Sequence, residues 1–584
     1  MKSMIKKFAL GACMASAIAA SVAAETAQQQ FQRASDDYLD KVYFPYQPTA
    51  GTLSGYHQYD TQYEDFSPKT IAAEVAALKS FEARVAAIPA AELDQVSRGD
   101  RELVLGSIRS ELLTLETIRP FEKNPDTYSS SISGTIFSLM ERKFASPDER
   151  LRSVIAREKL ALSRLDEART NLKNPPRIYT EIAIEQLPGI VSFFQNDVPQ
   201  AFADAKDAEL KAEFAKSNGA VIAALNSYQS WLKTDVLPRS NGDFRIGADA
   251  FQKKLAYDEM VDIPLDKLLE IGWADLKKNQ QHFNTLAKEL EPNKDPREVL
   301  EELGSNHPAP GKLLDAFRAT FDSLIGFIRT NHIVTIPSDI RPIVEETPPF
   351  MRATTFASMD TPGPFEAHAT EAYFNVTLPD PGMTPPQVES FMHAFNVGTV
   401  ISTAVHEAYP GHYIQFLWVP QAPSRVRKLL GASSNAEGWA HYCEQMMLDQ
   451  GYGQPGAGAK DAREAKFLRL GQLQDALLRN ARFIVGIQMH TGKMSFDEAV
   501  EFFQKEGYQS KESALVETKR GTSDATYLYY TLGKLEILKL REDIKKKQGT
   551  AFSLEEFHNN FLRQGFPPIK IVREAMLGDG SPVL

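Results

Sequence analysis

The sequence predicts a mainly α-helical protein with a small antiparallel β-sheet before the helix that carries its most informative motif. Apolar and charged residues recur at three- to four-residue spacing in residues 70–87, 148–172 and 201–232, the pattern of amphipathic helices. Short β-branched and aromatic runs among many prolines lie between residues 333 and 381, as expected for strands. The helical pattern returns after Pro420 and continues almost to the C-terminus.

Three runs in the proline-rich stretch are the candidate strands. They are residues 333–336, 343–344 and 372–377, which combine Ile, Val, Thr, Tyr and Phe. An apolar segment, residues 386–405, follows them directly. We expect this segment to form one helix that leads into a histidine motif.

Composition limits the class of protein. The chain has 584 residues, 43% hydrophobic and 24% charged, which is typical of a globular protein with a sizeable core. A net charge of -11 argues against a nucleic-acid partner, because such proteins carry a basic face that neutralises phosphates. Without internal repeats or a low-complexity linker, residues 25–584 are predicted to form a single domain.

The N-terminus has the pattern of an export signal. Lys2, Lys6 and Lys7 precede an Ala-rich apolar run over residues 8–24. We expect cleavage before Glu25 and a periplasmic or secreted protein. A transmembrane anchor is the weaker interpretation, since the run is too short and too rich in alanine to span a bilayer comfortably.

A lipid anchor is the alternative to simple secretion. Residues 10–13, Leu-Gly-Ala-Cys, form a lipobox-like sequence in which Cys13 would be acylated. The other cysteine is Cys443, so cleavage before Glu25 leaves one thiol and no internal disulfide. A metal ion in this protein would therefore be held by histidine and carboxylate ligands.

The segment around His406 and Glu407 points to metal chemistry. In H-E-x-x-H, the two histidines share one helix face and the glutamate acts as general base. Here the next histidine, His412, is six residues after the first, which is about 600° around a regular helix. Because proline interrupts the hydrogen-bond ladder and glycine tolerates unusual dihedrals, we expect a bulge at Pro410 and Gly411 to bring the histidines together.

A third ligand is expected from a separate apolar helix, residues 435–444. Its Glu437 and Glu444 are seven residues apart and so lie on one face. Buried carboxylates need a cation or a proton to be tolerated. We predict Zn²⁺ bound by His406, His412 and Glu437, with Glu444 as the hydrogen-bond partner of a ligating histidine.

These motifs resemble the bacterial domain of unknown function 885 family. The resemblance is carried by His406-Glu407-x-x-Pro410-Gly411-His412 followed by Glu437-Gly438-Trp439-Ala440, and it extends over nearly the whole mature chain. It implies a helical, gluzincin-type zinc metallopeptidase whose large catalytic domain encloses a substrate channel. Oligopeptides are then the expected substrates, rather than folded proteins.

A tyrosine is the candidate donor to the oxyanion that develops during hydrolysis. Tyr530 lies in Tyr-Thr-Leu-Gly-Lys, which agrees with the family's Tyr-x-x-Gly-Lys pattern. A Tyr or His donor can fill this role. Tyr527 and Tyr529 compete for it.

Three further residues are weaker candidates. Arg520 and His490 lie where the family pattern has catalytic or binding residues, although Gly521 follows Arg520 and Gly486 replaces an aspartate before His490. His441, four residues after Glu437, lies on the same helix face, either as a partner behind the ligands or as an exposed side chain.

The expected activity is zinc-dependent cleavage of peptide bonds in oligopeptides of the cell envelope, by metal-activated water with Glu407 as general base. One alternative is a zinc amidohydrolase that uses the same residues on a non-peptide amide or ester. The other is a non-catalytic, metal-dependent peptide-binding protein. Glu407 argues against the last, because zinc binding does not require a base at that position.

The export signal makes a prediction about the mature N-terminus. We expect N-terminal sequencing and intact-mass measurement of the exported protein to give a chain that begins at Glu25, because signal peptidase cleaves after the small residues that end the apolar run. A chain that retains Cys13 with bound lipid would establish the lipoprotein alternative instead.

Overall fold

The computed structural model of the protein describes residues 25–348, 351–352 and 355–584. The predicted export signal and Cys13 lie outside the described residues. Helices dominate the described chain, in agreement with the predicted fold class.

The N-terminal helices pack mainly against one another. Their bounds are α1 (Ala27–Tyr38), α2 (Phe44–Tyr46), α3 (Pro48–Leu53), α4 (Pro68–Ala86), α5 (Gln95–Leu113), α6 (Pro120–Lys123), α7 (Asp126–Glu141), α8 (Pro147–Asn171), α9 (Arg177–Ser192), α10 (Val198–Ala201), α11 (Ala208–Trp231), α12 (Leu237–Arg239) and α13 (Gly247–Asp258).

The remaining helices include those that build the candidate site. They are α14 (Leu265–Leu290), α15 (Pro296–Ser305), α16 (Leu313–Thr330), α17 (Pro385–Met392), α18 (Val397–Glu407), α19 (His412–Trp418), α20 (Arg425–Leu429), α21 (Ser433–Asp449), α22 (Ala462–His490), α23 (Phe496–Lys505), α24 (Lys511–Ser523), α25 (Tyr529–Gln548), α26 (Leu554–Leu562) and α27 (Ile569–Leu577).

Side-chain caps explain where several helices begin. Ser67 caps α4, and Ser146 forms a capping box with Glu149 at the start of α8, so these helices begin close to the predicted positions. The helix predicted over residues 201–232 begins later, at Ala208. Asp207 accepts hydrogen bonds from the backbone of the first turn there.

Short π-helical segments occur just before prolines. Leu39–Tyr43, Thr114–Ile118, Phe193–Asp197 and Leu232–Val236 are each followed by a proline two residues after the segment ends. Proline lacks the backbone N–H and its ring clashes with the carbonyl of the preceding turn. Widening that turn by one residue lets the chain remain helical up to the proline.

The sheet that precedes the motif is mixed, so the predicted antiparallel sheet is wrong in this detail. Its central strand, β3 (Tyr373–Val376), pairs parallel with β1 (Ile343–Glu346) and antiparallel with β2 (Ala357–Asp360). In the sheet, β3 lies between β1 and β2. The chain passes from β1 to β2 and then reverses into β3, so β3 runs antiparallel to β2 and parallel to β1. A second pair is short, β4 (Gln454–Pro455) with β5 (Gly458–Ala459).

The strand predicted at residues 333–336 is not formed. Ile333 and Val334 are buried, but this segment bonds to side chains instead of a neighbouring strand. The Thr335 N–H donates to Asn559 Oδ1 at 3.0 Å, and His558 Nδ1 donates to the Ile333 carbonyl at 2.6 Å. The apolar residues of this segment are therefore buried against α26, and they do not form a strand.

The helix predicted over residues 386–405 is divided in two. It forms α17, a 3₁₀ turn (His393–Phe395) and α18. The break falls at Asn396, whose side chain accepts hydrogen bonds from the N–H groups of Gly398 and Thr399 at 3.0 and 3.1 Å. This N-cap starts a new helix in a new direction.

A hydrophobic cluster surrounds the histidine motif. It combines side chains of α16, β3, α18, α21 and α26, including Phe317, Phe374, Val405, Trp439 and Phe561. Separate clusters lie among the helices α7, α8, α9 and α11 and among α1, α4 and α5. Among the described residues, no helix is both long enough and apolar enough to cross a membrane.

Two glycine contacts bring the site helices close together. A Cβ on Gly398 would lie 2.6 Å from the Phe467 carbonyl oxygen and 2.9 Å from Gly471 Cα, so α18 touches the backbone of α22. A Cβ on Gly438 would lie 2.5 Å from Gly533 Cα, where α21 meets α25. Larger residues at these positions would separate the helices that carry the site.

Gly398→Ala therefore tests the packing of α18. We expect it to destabilise the protein by about 1–3 kcal/mol, because the added methyl group meets backbone that cannot rotate away. Gly219→Ala is the matched control, since no atom lies within 4 Å of its Cβ position on α11, and it should stabilise by about 0.4–1 kcal/mol. Denaturant unfolding midpoints measure both changes. Equal shifts for the two variants would show that α18 is not closely packed.

Candidate active site

Two histidines and one glutamate converge at the end of α18. Nε2 of His406 and Nε2 of His412 each lie 3.3 Å from Oε2 of Glu437. The two imidazole rings are nearly perpendicular, at 89°, with centroids 4.8 Å apart. The structure thus brings together the three residues predicted as metal ligands.

The connection between the two histidines differs from the predicted bulge. Helix α18 ends at Glu407, and a new helix, α19, begins at His412. The intervening turn contains a cis Tyr409-Pro410 peptide bond. Two separate helices, rather than one bulged helix, set the directions of the two imidazoles.

The turn is held by hydrogen bonds and by close packing. The N–H of Gly411 donates to the Val405 carbonyl at 2.9 Å, and Trp439 Nε1 donates to the Pro410 carbonyl at 3.0 Å. A Cβ at Gly411 would overlap the carbonyl of His406. Glycine is therefore required where the chain folds back onto the end of α18.

The three converging atoms fit a bound cation. Oε2 of Glu437 is buried and has no hydrogen-bond partner among the described residues, although both histidines are close to it. Ligands of a tetrahedral zinc ion, at bonds of about 2.0–2.2 Å, lie about 3.3–3.6 Å apart. The observed separations match this spacing, and the donor set of two imidazoles and one carboxylate is one that zinc prefers.

The local electrostatics also favour a cation. Burial alone would raise the pKa of Glu437, but His412 and His406 hold that pKa well below its usual range. Burial would lower the pKa of His406, yet contacts with Glu437 and Glu444 raise it to about 10. The carboxylates therefore create a site in which a positive charge, proton or metal, is strongly stabilised.

Glu444 orients His406 from behind. Its Oε1 accepts a hydrogen bond from His406 Nδ1 at 2.7 Å, which directs Nε2 toward Glu437 and makes Nε2 the nitrogen available to a metal ion. Its Oε2 accepts from His441 Nδ1 at 3.0 Å, and Arg479 lies 3.3 Å from Oε1. Despite burial, these neighbours hold the pKa of Glu444 well below its usual range.

His441 is a buried partner of this network, so of its two predicted positions the one behind the ligands is observed and the exposed one is not. The residue is completely inaccessible to solvent. Burial lowers its pKa to about 4, which keeps the ring neutral near pH 7. His441 therefore supports Glu444 and does not face the converging ligand atoms.

A cavity of about 1020 Å³ opens onto the three ligands. Glu407 and Tyr530 line it beside His406, His412 and Glu437. The volume is at the upper end of what small-molecule and cofactor sites occupy. The predicted general base and oxyanion donor thus share one cavity with the predicted ligands.

Tyr530 is the one of the three candidate tyrosines that lines this cavity. Its ring is stacked on His406 with centroids 6.3 Å apart, and its hydroxyl accepts a hydrogen bond from Arg520 Nη2 at 3.1 Å. Tyr527 is fully buried, and Tyr529 donates its hydroxyl to Asp524 at 2.8 Å. Position therefore favours Tyr530.

Arg520 lines the cavity, whereas His490 does not. His490 Nε2 donates to the Gly521 carbonyl at 2.7 Å, and its ring packs edge-on against Phe244. These contacts place His490 behind α24, away from the converging ligands. Its position gives no support to a catalytic role.

Sequence reasoning missed three charged residues of α22. Asp475, Arg479 and Arg482 line the cavity beside Tyr530 and are largely or fully buried. Their spacing of four and then three residues puts them on one face of a helix that is otherwise largely apolar. That spacing was the signal available in the sequence.

A second group of two histidines and one glutamate is less well formed. His307 and His393 lie 3.2 and 3.7 Å from Oε1 of Glu389, and of these three residues His393 lines the cavity. The Glu389 side chain is 59% exposed, whereas that of Glu437 is 26% exposed. Burial and the Glu444 network therefore identify the His406 group as the main candidate metal site.

The fold and site define a mainly helical protein with a candidate two-histidine, one-glutamate metal centre in a large cavity. The chain belongs to the family described as bacterial protein of unknown function (DUF885), whose profile matches residues 48–576. A comparison with curated proteins finds no match.

Two solved structures are similar over almost the whole chain. One is a candidate lipoprotein of unknown function from Shewanella oneidensis, with 26% identity, a TM-score of 0.76 and coverage of 94% of this chain and 99% of the other. A candidate lipoprotein from Colwellia psychrerythraea has 18% identity, a TM-score of 0.73 and the same coverage of both chains, which shows a shared fold.

The geometry predicts which histidine is needed for metal binding. We expect His412→Ala to lose bound zinc, because one of three convergent donors is removed. His490→Ala should retain zinc, since that ring lies outside the cavity and bonds to backbone. Elemental analysis of folded, gel-filtered protein measures metal per chain. Full zinc content in His412→Ala would exclude this residue as a ligand.

Proposed function

We propose that the protein is a zinc-dependent hydrolase that cleaves peptide bonds of oligopeptides in the cell envelope. The observation that carries the proposal is the convergence of His406, His412 and Glu437 on one point of a cavity that Glu407 also lines. This donor set and the neighbouring glutamate are those of gluzincin-type metallopeptidases.

His406, His412 and Glu437 would hold zinc at the cavity wall. Bound zinc would supply Lewis acidity there and lower the pKa of water. Glu444 fixes the tautomer of His406 that leaves its Nε2 free to ligate. The chain thus provides an open site with an oriented imidazole.

Glu407 is the proposed general base. It follows His406 at the end of α18 and is 8% exposed, with its carboxylate toward the cavity. There it accepts a proton from the attacking water and passes it to the departing amine. Zinc binding alone does not require this second carboxylate, so its position favours catalysis over simple binding.

Tyr530 is the proposed donor to the carbonyl oxygen of the substrate. Arg520 donates an N–H to the phenolic oxygen, so the hydroxyl hydrogen of Tyr530 remains free to point into the cavity. A preorganised donor of this kind stabilises the charge that develops on the carbonyl oxygen. Stacking on His406 keeps the phenol next to the metal ligands.

The structural relatives support a location in the cell envelope. Both proteins are candidate lipoproteins, and this chain begins with a predicted export signal. Peptides that enter or arise in the envelope would then reach the cavity.

Glu407→Gln tests the proposed chemistry. We expect it to keep one zinc per chain and to lose about 10²–10⁴-fold in hydrolysis rate, because the amide preserves shape but cannot accept the proton. Mass analysis of a peptide library before and after incubation measures cleavage, and elemental analysis measures zinc. Glu270→Gln, an exposed change on α14, is the control and should behave as wild type.

Different outcomes separate the proposal from its alternatives. Near-normal turnover in Glu407→Gln would remove this residue from the mechanism. Cleavage of small amides without cleavage of any peptide would indicate an amidohydrolase. Zinc-loaded wild-type protein that binds peptides and cleaves none would indicate a binding protein.

A further inference from the structure

Three arginines surround Tyr530 but differ in how well they are neutralised. The guanidinium carbons of Arg479, Arg482 and Arg520 lie 5.8, 4.8 and 5.7 Å from the centroid of the Tyr530 ring. Arg482 forms a two-pronged ion pair with Glu517 at 2.6 and 2.8 Å. Its side chain is 8% exposed, so it is fully engaged within the protein.

Arg479 is also committed to internal partners. Its Nη2 lies 3.3 Å from Glu444 and its Nη1 lies 3.4 Å from Asp475, with 13% of the side chain exposed. These contacts fix the carboxylate that orients His406. Arg479 is therefore part of the support behind the metal ligands.

Arg520 has a single, long ion pair and the most exposed side chain of the three. Both of its observed bonds use Nη2, which donates to Tyr530 at 3.1 Å and to Asp524 at 3.4 Å. Asp524 also accepts the hydroxyl of Tyr529 at 2.8 Å. Within the described parts of the chain, Nε and Nη1 of Arg520 have no hydrogen-bond partner, and the side chain is 29% exposed on the cavity wall.

A guanidinium with free donors in a cavity is a carboxylate receptor. Its planar fork matches a carboxylate with two parallel N–H···O bonds, which are stronger than neutral hydrogen bonds. The other cavity cation on α24, Lys519, is already paired with Glu185 at 2.6 Å. Arg520 is therefore the group on this wall that is available to an anionic ligand.

The position of Arg520 limits the distance between the metal ligands and a carboxylate group bound to its guanidinium. Tyr530 separates Arg520 from the ring of His406, which it contacts by stacking. The Arg520 guanidinium carbon is 5.7 Å from the Tyr530 centroid, and that centroid is 6.3 Å from the His406 centroid. The guanidinium is therefore within about 12 Å of the His406 ring, a distance that roughly three or four extended residues span. A carboxylate held there would belong to the last few residues of a bound peptide.

We propose that Arg520 binds the free C-terminal carboxylate of the substrate, so that the enzyme removes short pieces from the C-terminal end of peptides. The inference rests on the proposed peptidase function of the His406 site. A peptide with a C-terminal amide cannot form this ion pair. Its binding would leave the guanidinium charge of Arg520 against a neutral group, which disfavours such substrates. Arg520 then contributes specificity as well as its bond to Tyr530.

The test compares peptides of one sequence that differ at the C-terminus. One peptide carries a free acid, the second a C-terminal amide, and the third an amide with glutamate as its last residue. Hydrolysis of each is measured as kcat/KM for zinc-loaded wild type, Arg520→Gln and Arg520→Lys. Lys519→Gln is the matched control, because it removes a cavity cation that is already paired.

Wild type should prefer the free acid over the amide by about 10- to 100-fold, the effect of a charge-assisted hydrogen-bonded pair. Arg520→Gln should abolish this preference, and Arg520→Lys should retain part of it, because lysine keeps the charge and loses the fork. Lys519→Gln should keep the full preference. If the amide peptide that ends in glutamate has the same kcat/KM as the free acid, and Arg520→Gln removes that activity, Arg520 recognises a side-chain carboxylate. The proposal of a C-terminal carboxylate site is then wrong.

The comparison of acid and amide separates recognition from an effect through Tyr530. If Arg520 acted only by positioning Tyr530, its replacement would slow hydrolysis of the acid and of the amide peptide by the same factor. Equal losses in Arg520→Gln, or no acid preference in wild type, would overturn the proposal. Unfolding midpoints and the partly active Arg520→Lys variant show whether a loss reflects misfolding.

A binding measurement distinguishes this proposal from the proposed hydrolysis. Zinc-loaded Glu407→Gln is titrated calorimetrically with the acid and the amide peptide, since it should bind without cleaving. Tighter binding of the acid, with no hydrolysis of any peptide by wild type, would uphold the carboxylate site and reject the peptidase. Equal binding with active wild type would reject the carboxylate site alone.

Discussion

Glu444 connects the candidate metal ligands to the residues behind them. It accepts hydrogen bonds from His406 and His441, and it lies beside Arg479. A carboxylate this deeply buried is tolerable only when every neighbour helps to neutralise it. The same contacts fix the tautomer of His406. Glu437, on the same face of α21, then meets the other ring nitrogen, so the geometry of the candidate metal site depends on how α21 packs against α18.

The backbone turn after α18 and the arginines of α22 and α24 complete this arrangement. Trp439, on α21, donates to the Pro410 carbonyl and thereby ties the turn to the helix that supplies the third ligand. Beside the candidate ligands, Tyr530 is stacked on His406 and surrounded by guanidinium groups. One cavity therefore combines a donor set that fits a cation with Arg520, whose Nε and Nη1 have no hydrogen-bond partner among the described residues.

The fold class and the residues of the candidate site could be predicted from local sequence patterns alone. Helical periodicity is a local property, and the predicted helices over residues 70–87 and 148–172 are present with shifts of a few residues at most. The motif residues His406, His412 and Glu437 could be singled out because imidazole and carboxylate groups in apolar segments need a partner. Their spacing also placed Glu437 and Glu444 on one helix face.

How these residues meet depends on contacts between elements that are far apart in the sequence. The turn at Pro410 begins a new helix instead of a bulge because its direction is set by contacts with Trp439, which is distant in sequence. The mixed sheet, the burial of His441 and the choice of Tyr530 over its neighbours likewise follow from packing between separate elements. Local sequence patterns specify which face of an element is apolar, but the identity of the element that covers that face depends on the whole chain.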